Sequence, residues 1–285
     1  MRTILFSLLL TLPAFGQFPY SATTGEWLNT NSLGGVNIGS YAGNATPSID
    51  AIRIGFFAGA GPNASLTSSI AIGRHAFYNA HADQSFGFGH AAGQYAGLGG
   101  DASSSIIGGY LAGRNANQLS PHYGFLSVVF GYEAVTTTKS FQASAIVGAR
   151  GGSTAVSAVA ASMLGYGTGQ IATNADFSTL VGYSAGGNAA QLTNCIYLGS
   201  YAGYNYSRVN TLIIESNPAF TGTSSLIYGE TDTRLIQFGA TKMGFFGTPA
   251  TAKPTITGSR ASGAVLQDLL LKLSNLGLIN DSTTP

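Results

Sequence analysis

One short phrase recurs ten times between Val36 and Gly203. It reads apolar, any residue, apolar, Gly, two variable residues, then Ala and Gly. The first copy is Val36-Asn37-Ile38-Gly39-Ser40-Tyr41-Ala42-Gly43 and the last is Ile196-Tyr197-Leu198-Gly199-Ser200-Tyr201-Ala202-Gly203. A fixed short period builds a stacked, quasi-one-dimensional fold in which each copy is one coil. The anchor glycines are Gly39, Gly55, Gly73, Gly89, Gly109, Gly131, Gly148, Gly165, Gly182 and Gly199. Their spacing is mostly 16 to 18 residues, with 20 and 22 before Gly109 and Gly131. The long spacings predict loops, such as Gln118 to Gly124.

Each slot has a physical reason. Apolar residues two apart, as in Ile70 and Ile72, lie on one face of a strand. Gly allows a turn that a Cβ would forbid. A small Ala at fixed depth lets backbones approach. About 17 residues is too short for a helix pair, so the coil is a β-coil. Coils stacked about 4.8 Å apart give a rod of roughly 45–50 Å for ten copies. With the apolar pair and the Ala as core slots, each coil buries only one or two side chains plus an Ala. Such a thin stack gains stability from length, capping, or packing on copies of itself. Self-packing is the expectation here.

The repeat resembles the YadA-like head of trimeric adhesins, over about residues 33–205. That resemblance implies three chains, each a left-handed parallel β-roll, around a threefold axis. Autotransporters of that family end in a coiled-coil stalk and a four-strand membrane anchor, and neither pattern is read in this sequence. The fold expected is therefore all-β: a parallel β-solenoid of about ten short coils, homotrimeric, with a small C-terminal β module and one short terminal helix.

The chain has 285 residues, carries a net charge of +1, and is only 8% charged, against roughly 25% in an average domain. Its 12 Lys and Arg are scattered singly, whereas a phosphate-binding groove clusters them, so nucleic acid is excluded as a partner. Arg2, the apolar run Ile4–Leu12 and the small-x-small site Ala14-Phe15-Gly16 read as a signal peptide over residues 1–16. Secretion follows, with no membrane span in the mature chain, since the apolar run is too short for one. Cys195, the lone cysteine, has no intrachain partner and reads as a small buried hydrophobe.

Residues 17–32, with Phe18, Tyr20 and Trp27, are expected to cap the solenoid, which occupies 33–210. Short alternating strands at Ser225–Glu230 and Arg234–Gly239 place a β cap module over 211–260. The segment from Lys242 through Ile279 resembles the C-terminal part of phage tail-fibre proteins, within about residues 225–285. A helix is expected from Ser262, which would cap it, to Leu276, with an Asp268–Lys272 pair and Gly277 as terminator. Leu266, Leu270 and Leu273 form a seam that either packs on the β module or bundles threefold. Residues 261–285 form this helix and tail.

Several motifs reduce to the repeat. Gly182-Tyr183-Ser184-Ala185-Gly186 matches the G-x-S-x-G elbow, but the elbow needs a strand-to-helix turn. Gly87 to Gly93 resembles a glycine-rich nucleotide loop without its helix. His75 and His90 lie in adjacent coils, yet a metal needs three or four ligands. Paired acids for a glycosidase and a recurring Thr slot for ice binding are both absent. No catalytic, metal or cofactor-binding residue is read, and no enzyme is expected. Tyr110, Tyr132, Tyr166 and Tyr183 each follow an anchor glycine and are expected to form a broken ladder. They serve either a sugar or protein surface or packing between chains. The function expected is a non-enzymatic extracellular trimeric fibre that binds a host-cell surface receptor or polysaccharide. The alternatives are a phage or virus tail fibre, located on the virion, and a purely structural filament component.

Overall fold

In the computed structural model the described residues are 28–29, 36–43, 50–62, 64–96, 104–116, 127–138, 140–219 and 222–283. The proposed signal peptide, Phe18, Tyr20, Trp27 and the loop Gln118 to Gly124 lie outside them. The chain divides into two compact units, residues 1–236 and 237–285.

The first unit is a β-solenoid. The phrase before each anchor glycine forms a three-residue strand, from Val36–Ile38 through Ile196–Leu198. These strands stack parallel and in register, so that Ile146, Met163, Leu180, Tyr197 and Ile213 follow one another rung by rung. Ten anchor glycines bound about nine full turns. Short strands form the facing wall, where Ser65–Thr67 pairs with His81–Asp83 and Ser140–Gln142 with Ser157–Val159. Both ends of the 14-stranded main sheet change direction. Leu28–Asn29 lies antiparallel on the first rung, and Ile227–Glu230 lies antiparallel on the last, Thr211–Ile214. An antiparallel strand at each end halts the parallel stacking of coils.

The strand residue that points inward differs from the sequence expectation. The middle, unspecified residue is buried, and the apolar pair around it faces out: Ala71 is buried between Ile70 and Ile72, and Met163 between Ser162 and Leu164. The inward row is chemically mixed, running Asn37, Arg53, Ala71, Gly87, Ile107, Val129, Ile146, Met163, Leu180 and Tyr197. Its variation in size is offset locally. Phe77 replaces the usual Gly after the slot alanine, and a Cβ on neighbouring Gly87 would lie 2.7 Å from its ring. The slot alanines Ala58, Ala76, Ala92, Ala112, Ala134, Ala185 and Ala202 are fully buried, as expected.

The anchor glycine is required twice over. Gly55 has φ 129°, and a Cβ there would lie 2.6 Å from the carbonyl oxygen of Gly73 in the next coil. Two residues later the chain enters the left-handed region even without glycine, at Phe57, His75, Leu111, Glu133, Arg150, Ser184 and Tyr201 among others. Each such residue is held by the stack. Its N–H donates to a carbonyl one coil back, as Arg150 does to Tyr132 at 2.8 Å and Tyr201 to Tyr183 at 2.7 Å.

A buried hydroxyl row runs beside the main sheet. Ser69, Ser85, Ser127, Ser144 and Ser178 each accept, through Oγ, the N–H of the equivalent residue one coil on. Cys195 stands in this row. Its thiol lies 3.1 Å from the Arg208 carbonyl, and burial pushes its pKa up. It therefore fills a seryl position rather than a merely apolar one.

In the second unit a two-stranded ladder pairs Lys242–Met243 with Thr251–Ala252, and a helix spans Ala264–Asn275. Ser262 does not cap the helix. Gly263 occupies the N-cap in a left-handed conformation with no side-chain hydrogen bond, and the Ser262 hydroxyl turns back to the Ser259 carbonyl. Asp268 and Lys272 pair at 3.9 Å. Gly277, φ 74°, donates to the Ser274 carbonyl at the helix end. No residue of the helix is buried. No helix among the described residues is long and apolar enough to cross a membrane.

Candidate binding face

The four tyrosines after the anchor glycines fall in two stacked runs. The rings of His90 and Tyr110 lie 5.1 Å apart, and those of Tyr110 and Tyr132 5.3 Å apart, with planes within 15° of parallel. Tyr166 and Tyr183 stack at 5.2 Å and 8°. The cause is the backbone: each turn hangs by its N–H from the turn before, so residues in this slot arrive one rung apart. All four rings remain exposed, between 41% and 48%. Where rings stack, their faces cover one another, and the row presents ring edges and hydroxyls to solvent.

The gap between the runs falls at Ala149. Arg150 spans it, donating through Nε to Glu133 at 3.1 Å and through Nη1 to the Tyr166 hydroxyl at 3.5 Å. The hydrogen bond to Glu133, then the Tyr166 hydroxyl, raise the Arg150 pKa. The charge of Glu133 likewise raises that of Tyr132. A second aromatic cluster covers the early coils, where Tyr41 stacks on Phe57 at 4.8 Å and Phe57 approaches His75 at 5.6 Å.

Past Tyr183 the order changes. Tyr201 follows at 5.1 Å but with its plane turned by 61°, and Tyr204 meets Tyr201 edge to face at 5.4 Å. The change has a local origin: the slot after the anchor is Ser200, and the ring comes instead from Tyr201 in the left-handed position. A groove of about 350 Å³ opens here, lined by the four tyrosine rings 166, 183, 201 and 204 together with Gln170 and Asn188. The first two of these rings were expected from their slot. Tyr201 and Tyr204 carry no such mark, because they occupy different positions in the repeat.

The remaining sequence candidates disperse. Ser184 sits in the left-handed turn slot, with its N–H donating to the Tyr166 carbonyl. The chain continues through further turn, not into a helix. Gly87 lies inside strand Phe86–Phe88 and Gly89 is an anchor. The rings of His75 and His90 are 6.1 Å apart, and burial, then Arg74, depress the pKa of His75. His81 lies on the facing wall, paired with Ser65, and His122 lies outside the described residues. Among the described residues no group of three His, Cys, Asp or Glu could hold a metal ion. No family model, no curated protein and no solved structure matches the chain.

Proposed function

We propose that the chain is a non-enzymatic extracellular fibre that assembles from three copies and binds a cell surface or glycan. The observation that carries this reading is the outward face of the parallel sheet. Val36, Ile38, Ile52, Ile72, Ile106, Val147, Leu164 and Ile196 form an apolar ridge along the rod, each exposed by 37–53%. A parallel sheet is ordinarily covered on both faces, and a contiguous exposed apolar patch marks an interaction surface. Burying the rest of each side chain is worth on the order of 1 kcal/mol, at about 1.5–3 kcal/mol for a whole one. Eight of them are comparable with the net stability of a domain, roughly 5–15 kcal/mol. The number three comes from the resemblance to YadA-like heads. Secretion comes from the signal-like start of the sequence.

The second reading is a virion tail fibre that recognises a host receptor. It is favoured by the separate unit 237–285, whose helix leaves Leu266, Leu269 and Leu271 exposed. Both readings share the covered ridge. Sedimentation of the whole protein tests it, with three chains expected. Mass spectrometry of secreted material separates the settings: a chain beginning at Gln17 supports secretion, and an intact Met1 the virion.

A further inference from the structure

We infer that the groove at Tyr166, Tyr183, Tyr201 and Tyr204 is a binding site for a neutral oligosaccharide; this rests on the surface-binding reading above and narrows its ligand.

Three observations point there. The groove interrupts the stack. Between Tyr166 and Tyr183 the rings lie 8° from parallel and cover each other, whereas Tyr201 is turned by 61° from Tyr183 and Tyr204 by 86° from Tyr201. The crossed rings of Tyr201 and Tyr204, both half-buried, turn the row into a concave corner beside the more exposed Tyr166 and Tyr183, and a sugar ring can rest its apolar face against such aromatic walls. The volume, about 350 Å³, lies within the usual range for small-ligand sites, roughly 300–1,000 Å³.

The chemistry of the lining is the second observation. Beside the rings stand the amides of Gln170 and Asn188 and the tyrosine hydroxyls. Amides and hydroxyls both donate and accept, as sugar hydroxyls do. Asn188 is held in place through an amide-to-amide hydrogen bond to Asn205, so part of the polar lining is positioned before any ligand arrives.

Charge is the third. Between residues 151 and 207 the sequence holds one charged residue, Asp176. It bonds the Ser157 hydroxyl and the Val159 N–H on the facing wall. Arg150 donates through Nη1 to the Tyr166 hydroxyl at 3.5 Å but is paired with Glu133, and no charged side chain lines the groove itself. A sialylated or sulfated glycan would find no cation in the lining and only the Glu133-paired Arg150 at its Tyr166 edge, so a neutral chain is favoured.

The test uses the whole protein on an array of immobilised hexose and N-acetylhexosamine polymers, beside sialylated and sulfated glycans. Two variants accompany it: Tyr204→Ala removes a ring, and Gln170→Glu adds a charge at nearly constant volume. The expected result is binding to neutral glycans, weakened at least tenfold by both variants, with the sedimenting mass unchanged. Binding to acidic glycans alone, neutral binding that both variants retain, or no neutral binding would overturn the site. A mass that falls in either variant would also overturn it, by showing that the groove packs between chains. Cell adhesion retained by both variants would leave the surface-binding reading standing while this site fails. Absence of all glycan and cell binding would remove both.

Discussion

Arg53 lies inside the second coil, 1% exposed, and donates through Nη1 to Oδ1 of Asn37 on the rung before, 3.3 Å away. Nε and Nη2 have no hydrogen-bond partner among the described residues. Burial pushes the guanidinium down to about 10. Room for it comes from Gly43 and Gly59, where a Cβ would run into the guanidinium or its stem.

A buried cation with one partner is costly, and losing that partner is costlier than losing the pair. Asn37→Ala is therefore expected to destabilise by about 1–3 kcal/mol. The same change in an Arg53→Met background should cost much less. Denaturation of the four proteins in a double-mutant cycle measures the difference. Equal costs in both backgrounds would deny the coupling.

Tyr197 gives an alkaline limb. It occupies the inward row, fully buried, with its hydroxyl donating to the Tyr206 carbonyl at 3.4 Å. Burial raises its pKa well above the ordinary phenol value. The unfolded chain therefore loses this proton first, at about pH 10, and stability falls as pH rises from there towards the folded value. Arg53 acts in the opposite sense: its folded value is lowered, so its penalty is relieved as pH rises above about 10. Tyr197→Phe should flatten the alkaline loss without altering the slope from Arg53. Melting temperatures across pH 8 to 11 read it out, and identical profiles would contradict it.

Gly55→Ala sets a Cβ against the Gly73 carbonyl oxygen in a strained backbone region. Overpacking and strain together should cost roughly 2–5 kcal/mol. Gly247→Ala is the control, since its φ is 79° but nothing lies within 4 Å of the added carbon. Only the strain, of order 1 kcal/mol, remains there. Chemical denaturation of both variants should separate them clearly.

Ser144→Ala removes the acceptor for the Ala161 N–H and the donor to the Ala158 carbonyl. A loss of about 1–3 kcal/mol is expected. Cys195→Ser, which restores the row's usual hydroxyl, should be nearly neutral. A loss as large as that of Ser144→Ala would show that the sulfur is needed for its volume.

The period, the coil and the Ala and Gly slots were legible because steric need repeats the same letter. The facing of the strand was not. Ile70 and Ile72 flank Ala71 in the pattern of a half-buried strand, and that pattern ordinarily puts the larger apolar pair inside. Here the interior is narrowed by Ala58, Ala76 and their equivalents, and the middle residue fills what is left. That residue ranges from Gly87 to Arg53, and such variety carries no periodic signal. The tyrosine row was legible from register alone. Its crossed end at Tyr201 was not, since it depends on a ring moving one position along the turn.

The outward apolar ridge from Val36 to Ile196 carries the proposed assembly, and mass in solution tests it most directly. The protein is expected to sediment at about three times the 29.1 kDa of one full chain, less any segment removed on secretion. An Ile106→Arg, Leu164→Arg double variant, altered only on that exposed face, should fall to one chain while keeping its β signal. A wild-type protein that stays monomeric and folded at micromolar concentration would contradict the assembly.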